Sequence, residues 1–424
     1  MSRAVARIGL NSLYQLIAKL INAFTALAII TVVLRSSSEV SLVGAYTTIL
    51  SYVSMYFIFV DAGLNSIAVK QIIATPSQKT IIISNLLNLR LILALAATII
   101  STTLVTFLEG PGYTDTVKAS VGIVSLSLFT QALLATLNAY AQSTQNYLIL
   151  LPINLLNSFT QLSLLLLISQ DLNLSYLLFT YLAGALLTLC AALIYLFTKL
   201  KLVIFKIQIP QTLQLLRESA PITLSLFTNL VYFRIDALIL PAFRGLEEIG
   251  RYNISYRIFE NILTLPTYAT NSAYPVLLQN NQHSPQKYQK SFFRLILTYI
   301  TISIIITLAT HILGPYVIAL IVGHPSPEIT NYLIILSYGT IFFFTSSALM
   351  TALIIAEQQK WLFYIYLTSM VLSISLNLYL IPIYGAIAAA YLTIALEALV
   401  CIMALYALYL HPKLHNLYRR RLTR

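Results

Sequence analysis

Four basic residues lie inside long apolar segments of the sequence: Lys19, Arg90, Arg234 and Arg257. A charge at the centre of a bilayer costs roughly 2.5 to 3.5 kcal/mol, so such a residue usually has a functional role. Lys19 and Arg90 lie roughly nine to eleven residues into their segments, or about 15 Å deep at the rise of a helix. Arg234 and Arg257 lie nearer the predicted outer ends, where snorkelling to the interface is an alternative. Fixed cations at these positions favour an anionic ligand, and all four are predicted substrate-binding residues.

Three acidic residues also lie inside long apolar segments: Asp236, Glu260 and Glu397. Arg257 and Glu260 are spaced i, i+3, so mutual neutralisation is one interpretation of that pair. Glu397 has no basic residue nearby in the sequence, which makes it a candidate site for a coupling proton or cation. A basic partner from another helix is the alternative for Glu397. All three acids are candidates for ion coupling or for the lining of a cavity.

Polar residues align with these charges, since residues three, four and seven apart share one face of a helix. A polar face avoids lipid, so it either joins helices or lines a water-filled cavity. Charged stripes occur at the start of both halves of the chain, which favours a shared central cavity. The three stripes are Asn11, Gln15, Lys19 and Asn22; Ser225, Asn229, Tyr232 and Asp236; and Asn253, Arg257, Glu260, Asn261 and Thr264.

The elements that must position these residues are membrane-spanning helices. Of the 424 residues, 58% are hydrophobic and only 9% are charged, too few charges to cover a soluble protein of this size. Apolar runs of about 20 residues recur between polar breaks, the length that crosses about 30 Å of hydrocarbon. Twelve spans are predicted, at 10–34, 42–60, 81–108, 117–140, 147–168, 174–198, 219–241, 250–278, 292–313, 329–356, 362–382 and 385–410.

The distribution of Lys and Arg indicates how the chain is oriented. With a cytoplasmic N-terminus, 17 of the 25 lie inside, four outside and four within spans. This asymmetry predicts a multi-pass protein of the cytoplasmic (inner) membrane with both termini in the cytoplasm. The formal net charge of +12 is therefore attributed to membrane orientation and not to nucleic-acid binding. The first apolar stretch is too long for the core of a signal peptide and is predicted to be a retained span.

Two short patterns recur at a similar interval. Gly44-Ala45-Tyr46 opens the second span, and Gly250-Arg251-Tyr252 opens the eighth, 206 residues later. Polar breaks at 141–147 and 356–361 precede the fifth and eleventh spans. Chance recurrence is the alternative, but the matched order predicts two parallel repeats. We therefore expect an N-terminal six-helix lobe at 1–200, a cytoplasmic linker at 201–217 and a C-terminal six-helix lobe with a basic tail at 218–424.

Motifs in both halves carry a family resemblance. The first half has Arg35 before a short loop, then a Gly-x-Tyr, then Asp61-Ala62-Gly63-Leu64. The second half has FRIDALILPAF at 233–243, EEIGRYNISYRIFENILTLP at 247–266 and NLYLIPIYGAIAAAY at 377–391. This ordered set resembles the polysaccharide and oligosaccharide flippases of the multidrug/oligosaccharidyl-lipid/polysaccharide (MOP) superfamily.

The resemblance implies an all-α integral membrane fold with twelve helices in two six-helix lobes around a central cavity. It implies a flippase that moves a polyprenyl-diphosphate-linked oligosaccharide from the cytoplasmic to the outer leaflet for polysaccharide biosynthesis. Its implied partners are membrane lipid, the lipid-linked glycan, a coupling proton or sodium ion and other polysaccharide-assembly proteins. Family members commonly carry basic residues in the cavity, which suits diphosphate binding by the four cations. Lipid II flippases with fourteen helices are a poorer match.

Two other functions are weighed against the flippase. A multidrug or cation antiporter of the same superfamily would favour acidic over basic cavity residues. A membrane-embedded glycosyltransferase or polymerase usually needs a sizeable outer loop with catalytic carboxylates, and the predicted outer loops are short. The sequence has no P-loop, HExxH motif or Cys/His cluster, so neither an enzyme nor a cofactor or metal is predicted.

Overall fold

The computed structural model describes residues 2–37, 39–168, 172–200 and 209–410, and these form α-helices joined by short turns and two 3-10 turns. The predicted linker lies partly, and the basic tail at 411–424 wholly, outside the described residues. The helices of the first half are α1 (Ser2–Ser37), α2 (Val40–Asp61), α3 (Leu64–Ala74), α4 (Lys79–Thr106), α5 (Asp115–Val124), α6 (Ser127–Thr144), α7 (Leu150–Leu167) and α8 (Leu174–Lys199). Those of the second half are α9 (Ile209–Arg234), α10 (Asp236–Phe243), α11 (Leu246–Ile262), α12 (Thr264–His283), α13 (Pro285–Val322), α14 (Pro327–Ile355), α15 (Gln359–Tyr384) and α16 (Ala386–Tyr409).

Each of the twelve predicted spans coincides with one helix or with two consecutive helices. Ten helical segments in the described residues are long and apolar enough to cross a membrane, and the bent pair Pro210–Arg234 with Asp236–Phe243 is an eleventh. The predicted eighth span consists of α11 and α12, which are too polar to qualify by composition because α11 alone carries three glutamates and two arginines. The predicted all-α integral membrane fold is confirmed.

The chain packs into two compact units. The first is Met1–Leu230 with Pro241–Gly250, and the second is Val231–Leu240 with Arg251–Arg424. In the first unit, Ile83, Leu133 and Leu196 bring α4, α6 and α8 together in an apolar core. In the second, Leu353, Ile365 and Val400 bring α14, α15 and α16 together. The lobe boundaries predicted from the repeat stay a prediction.

The motif Asp61-Ala62-Gly63-Leu64 forms the break between α2 and α3. Ala62 and Gly63 both have left-handed backbones, with φ values of 44° and 64°. At Gly63 a Cβ atom would lie 2.9 Å from Ile222 Cγ2, so both its conformation and its packing favour glycine. The break leaves Asp61 at the last turn of α2.

The two polar breaks singled out in the sequence have the same backbone. Gln145 and Glu357 each end a helix in the left-handed conformation, with φ of 50° and 60°. In both turns the next residue bonds back five positions: Asn146 N donates to Ala141 O at 2.9 Å, and Gln358 N to Leu353 O at 2.8 Å. Bonds of this kind satisfy carbonyl groups that a helix end leaves open. Because many helices end in a turn of this kind, the repeat itself stays a prediction.

Candidate functional site

Arg234 and Arg257 meet on one carboxylate. Arg234 ends α9, where the helix gives way to α10 with a bend of 40°, and Arg257 and Glu260 lie on one face of α11. Arg234 Nη2 lies 2.5 Å from Glu260 Oε1, and Arg257 Nη1 lies 3.3 Å from Glu260 Oε2. We call these three residues the bridged arginine pair. In it, two positively charged guanidinium groups contact one negatively charged carboxylate.

The two arginines differ in their surroundings. The guanidinium of Arg234 lies over the ring of Tyr256, 5.3 Å from its centroid, and 5.9 Å from the centroid of Phe233. Such aromatic faces attract a cation and restrict how it moves. The side chain of Arg257 is 45% exposed, and that of Glu260 is 27% exposed. The pair therefore has one anchored arginine and one that a ligand can reach.

Two buried carboxylates bind hydroxyl groups. Asp236 is the first residue of α10, and its Oδ2 accepts a hydrogen bond of 2.8 Å from the hydroxyl of Tyr252. Glu397, on α16, accepts hydrogen bonds from the hydroxyls of Tyr232 and Ser346. Within the described residues, the partners found for Glu397 are hydroxyls, and not the basic side chain that the sequence left open. A carboxylate held only by neutral donors is a suitable site for a proton or a cation.

A small polar cavity of about 10 Å³ lies beside Asp236 and Tyr232. Ser373, Asn377 and Thr393 also line it. Asn377 Nδ2 donates to Ser373 O at 2.7 Å, while its buried Oδ1 has no hydrogen-bond partner in the part of the chain that is described. This space is on the order of one water molecule and offers oxygen ligands from an amide and a carboxylate.

Arg90 forms a closed pair. Its side chain on α4 is 0% exposed, and its Nη2 lies 2.6 Å from Asp61 Oδ1 at the α2–α3 break. Arg90 Nη1 is 3.4 Å from Thr136 Oγ1 on α6. Arg90 is completely buried in the protein, and its charge is directed at Asp61.

Lys19 lies on α1 with an exposed side chain. Three residues further on, Asn22 Oδ1 accepts a hydrogen bond of 2.8 Å from Ser158 of α7. The residues of the predicted stripe on α1 therefore differ: Asn22 links α1 to α7 by a hydrogen bond, whereas the side chain of Lys19 is exposed. Asn11, from the same stripe, has a side chain outside the described set.

Comparison with known families identifies the chain. The family model for polysaccharide biosynthesis proteins matches residues 6–281. The chain belongs to this family. A second model, MatE, matches residues 221–379. A search of curated protein sequences gives no match.

Solved structures of MOP superfamily members have the same fold as this polysaccharide biosynthesis protein. The lipid II flippase MurJ in an inward closed conformation has a TM-score of 0.71 and 15% identity, covering 94% of this chain and 87% of that one. An inward-facing multidrug resistance MATE family transporter has a TM-score of 0.70 and 13% identity, covering 93% and 96%. A MOP superfamily transporter from Pyrococcus furiosus, described as having a binding pocket of reverse polarity, has a TM-score of 0.62 and 13% identity, covering 95% and 93%.

Sequence reasoning missed several residues that complete these sites in this family member. In the sequence, Tyr252 belongs only to a recurring Gly-x-Tyr pattern, and Tyr232 only to a polar stripe. Ser346 and Asn377 were not selected as site residues. Ser373 and Asn377 are spaced i, i+4, and Asn377 is the first residue of the motif at 377–391, a signal that points to the polar cavity.

Proposed function

We propose that the protein is an alternating-access flippase that moves a polyprenyl-diphosphate-linked oligosaccharide from the cytoplasmic to the outer leaflet during polysaccharide biosynthesis. Its membership of the family of polysaccharide biosynthesis proteins supports the pathway. The likeness to MurJ and to MATE transporters supports the architecture. The observation that carries the substrate is the bridged arginine pair.

The bridged arginine pair suits a diphosphate. Each guanidinium can form two parallel hydrogen bonds to phosphate oxygens, and a diphosphate offers adjacent phosphates for two arginines. The three residues of the cluster carry a net charge of +1, because Glu260 neutralises only one of the two cations, while the carboxylate of Asp236 also interacts electrostatically with Arg234. In a low-dielectric membrane interior that excess charge attracts an anion strongly and repels a cation. The cluster therefore favours an anionic lipid head group over a cationic drug.

The other predicted cations take different parts in this proposal. Lys19 is exposed on α1 and is proposed as a further contact for the anionic head group. Arg90 was predicted from the sequence to bind the same group. Because Asp61 and Thr136 enclose it, we assign Arg90 to holding the α2–α3 break.

The driving force is proposed to be an ion gradient, since the sequence carries no ATP-binding motif. Asp236 and Glu397 are the proposed coupling sites for a proton or a sodium ion. Both are buried and both accept hydrogen bonds from hydroxyls; Asp236 also interacts electrostatically with Arg234, whereas the partners found for Glu397 in the described residues are hydroxyls. The open Oδ1 of Asn377 beside Asp236 supports a cation or a water molecule at that point.

The proposed placement is the cytoplasmic membrane, with both termini inside, as the distribution of Lys and Arg indicates. We further propose that the lobes 1–200 and 218–424 are the moving parts, joined by 201–217. The family's other polysaccharide-assembly proteins are proposed as partners.

The test is export in cells that lack the native protein and carry an Arg234→Ala or Arg257→Ala variant. One hydrogen bond to a charged group contributes roughly 1.5 to 3 kcal/mol, so each variant should lower surface glycan by at least about tenfold. The amount of protein in the membrane should not change. The matched control is Arg251→Ala on the same helix as Arg257; it breaks the exposed ion pair between Arg251 and Glu328 of α14 and should export normally. Normal export by both Arg234→Ala and Arg257→Ala would overturn the proposed substrate site.

A cation antiporter is the second candidate, favoured by the MatE match and by the hydroxyl-bound carboxylates. It predicts that cells lacking the protein accumulate cationic dyes and drugs while their surface glycan is normal. The flippase predicts the reverse, with lipid-linked glycan retained in the inner leaflet.

A further inference from the structure

An apolar groove opens in the first compact unit between the end of α2 and the helix α9. Its volume is about 410 Å³, and its surface is almost entirely hydrocarbon. Phe59 and Leu224 on its walls are 46% and 51% exposed. The main apolar lining residues are Ile58, Phe59, Leu216, Ala220, Leu224 and Phe227.

The hydroxyl groups along the groove are engaged by the backbone. Ser219 Oγ donates to Leu216 O at 3.2 Å, and Thr223 Oγ1 donates to Ala62 O at 2.5 Å. A sugar or a phosphate in the groove would lose its hydration without gaining hydrogen bonds, which is costly. A hydrocarbon chain has no hydrogen bonds to water to lose when it enters the groove. The groove therefore suits the tail of a lipid and not its head.

Two aromatic rings line the groove. The rings of Phe59 and Phe227 lie 5.9 Å apart between centroids, and the ring of Tyr56 lies 6.2 Å from that of Phe59. Aromatic faces offer a large contact area to a chain laid against them. A long hydrocarbon chain lying along the groove would contact the faces of these rings.

A basic residue lies at one end of the groove. Arg217 is exposed on α9 and precedes Ala220 by three residues, so both lie on the same face of the helix. Its acidic neighbour Glu218 accepts hydrogen bonds from Gln214 at 2.8 Å and Gln71 at 3.4 Å. This is the end of α9 that the charge distribution places in the cytoplasm. A phosphate at the membrane surface would meet Arg217 while its chain followed the groove.

We propose that this groove binds the polyprenyl chain of the lipid-linked substrate, with the substrate's phosphate entering past Arg217. The inference rests on the proposed flippase function and adds to it a separate site for the tail. A tail site lets the head group be passed to the bridged arginine pair while the chain stays in hydrocarbon.

The proposal is tested by photo-cross-linking in the full-length protein. A photoreactive phenylalanine analogue is placed at position 59 or 227, and the purified protein is reconstituted into phosphatidylethanolamine and phosphatidylglycerol vesicles containing radiolabelled polyprenyl monophosphate. The control position is Ile99 on α4, whose side chain is 58% exposed. We expect several-fold more labelling at 59 and 227 than at 99, and competition by unlabelled polyprenyl phosphate but not by additional phosphatidylglycerol. Equal labelling at the three positions, or competition by the phospholipid, would overturn the groove as a polyprenyl site.

A groove-filling variant gives a second measurement. Ala220→Phe should reduce labelling and export together, whereas Ala96→Phe, at an exposed position on α4, should alter neither. Arg217→Gln should reduce labelling by polyprenyl phosphate but not by the uncharged polyprenol. Absent groove labelling combined with lost export in Arg257→Ala rejects only the groove. Strong groove labelling combined with normal export in both arginine variants rejects the proposed substrate site and leaves the groove in place.

Discussion

Both compact units contain ion pairs between arginine and a carboxylate, but the number of arginines for each carboxylate differs. In the first unit, Arg90 and Asp61 form a pair of one cation and one anion, with the arginine 0% exposed. In the second, Arg234 and Arg257 share Glu260, and Arg257 is 45% exposed. The first arrangement is neutral and its arginine is enclosed by protein, so we assign it to holding helices together. The second has an unbalanced charge and an open side, which is what a site for an anion requires. Stoichiometry and exposure, more than the presence of a buried charge, separate a structural ion pair from a binding site.

The largest effect on stability is expected when the closed pair is broken. Arg90→Ala leaves Asp61 without its cation. Removal of one partner of a buried ion pair costs about 3 to 5 kcal/mol, and the 22% exposure of Asp61 places the expected cost at the lower end of that range. We expect a marked fall in the thermal unfolding temperature of the detergent-purified protein and a loss of folded protein from the membrane. Arg257→Ala should change stability by less than about 1 kcal/mol, because its ion pair is exposed.

The comparison would fail if Arg90→Ala protein were as stable as the wild type and yet inactive in export. That result would return Arg90 to the ligand-binding role predicted from its position in the sequence.

A gain in affinity for diphosphate is expected when the carboxylate of the bridged arginine pair is replaced. Glu260 competes with the substrate for both arginines, so Glu260→Gln removes a competing negative charge. Binding of inorganic diphosphate to the purified protein should become tighter by about tenfold, the effect of roughly 1.4 kcal/mol, and export should slow because release is impeded. Isothermal titration with diphosphate measures the affinity. The control is Glu248→Gln, which alters the ion pair with Arg244 and should leave diphosphate affinity unchanged.

Weaker diphosphate binding in Glu260→Gln would mean that the carboxylate is needed to position the arginines. In that case the unbalanced charge would not be the property that recognises the anion.

Much of the fold could be predicted because hydrophobic length and the placement of Lys and Arg are properties of the chain itself. The breaks at Asp61-Ala62-Gly63 and at Arg234-Ile235-Asp236 fall in motifs that the sequence made visible. The partners of the charges could not be predicted in the same way. Arg90 and Asp61 are 29 residues apart, and Glu397 and Tyr232 are 165 apart, so only the folded helices bring them together. The pair of Arg257 and Glu260 was predictable because it is local to one helix.

The smallest effect on stability is expected at a carboxylate that has hydroxyl partners. Glu397→Gln preserves the shape of the side chain, and the hydroxyls of Tyr232 and Ser346 can reorient to donate to or accept from the amide. Its stability should therefore change by less than about 1.5 kcal/mol, whereas Asp61→Asn, which leaves Arg90 buried without a counter-charge, should lose about 3 kcal/mol or more. If Glu397 takes up the coupling ion, Glu397→Gln should also remove the dependence of export on an imposed proton or sodium gradient in reconstituted vesicles. An unchanged gradient dependence would reject Glu397 as the coupling site, and an equal loss of stability in the two variants would reject the distinction between carboxylates held by hydroxyls and those held by arginine.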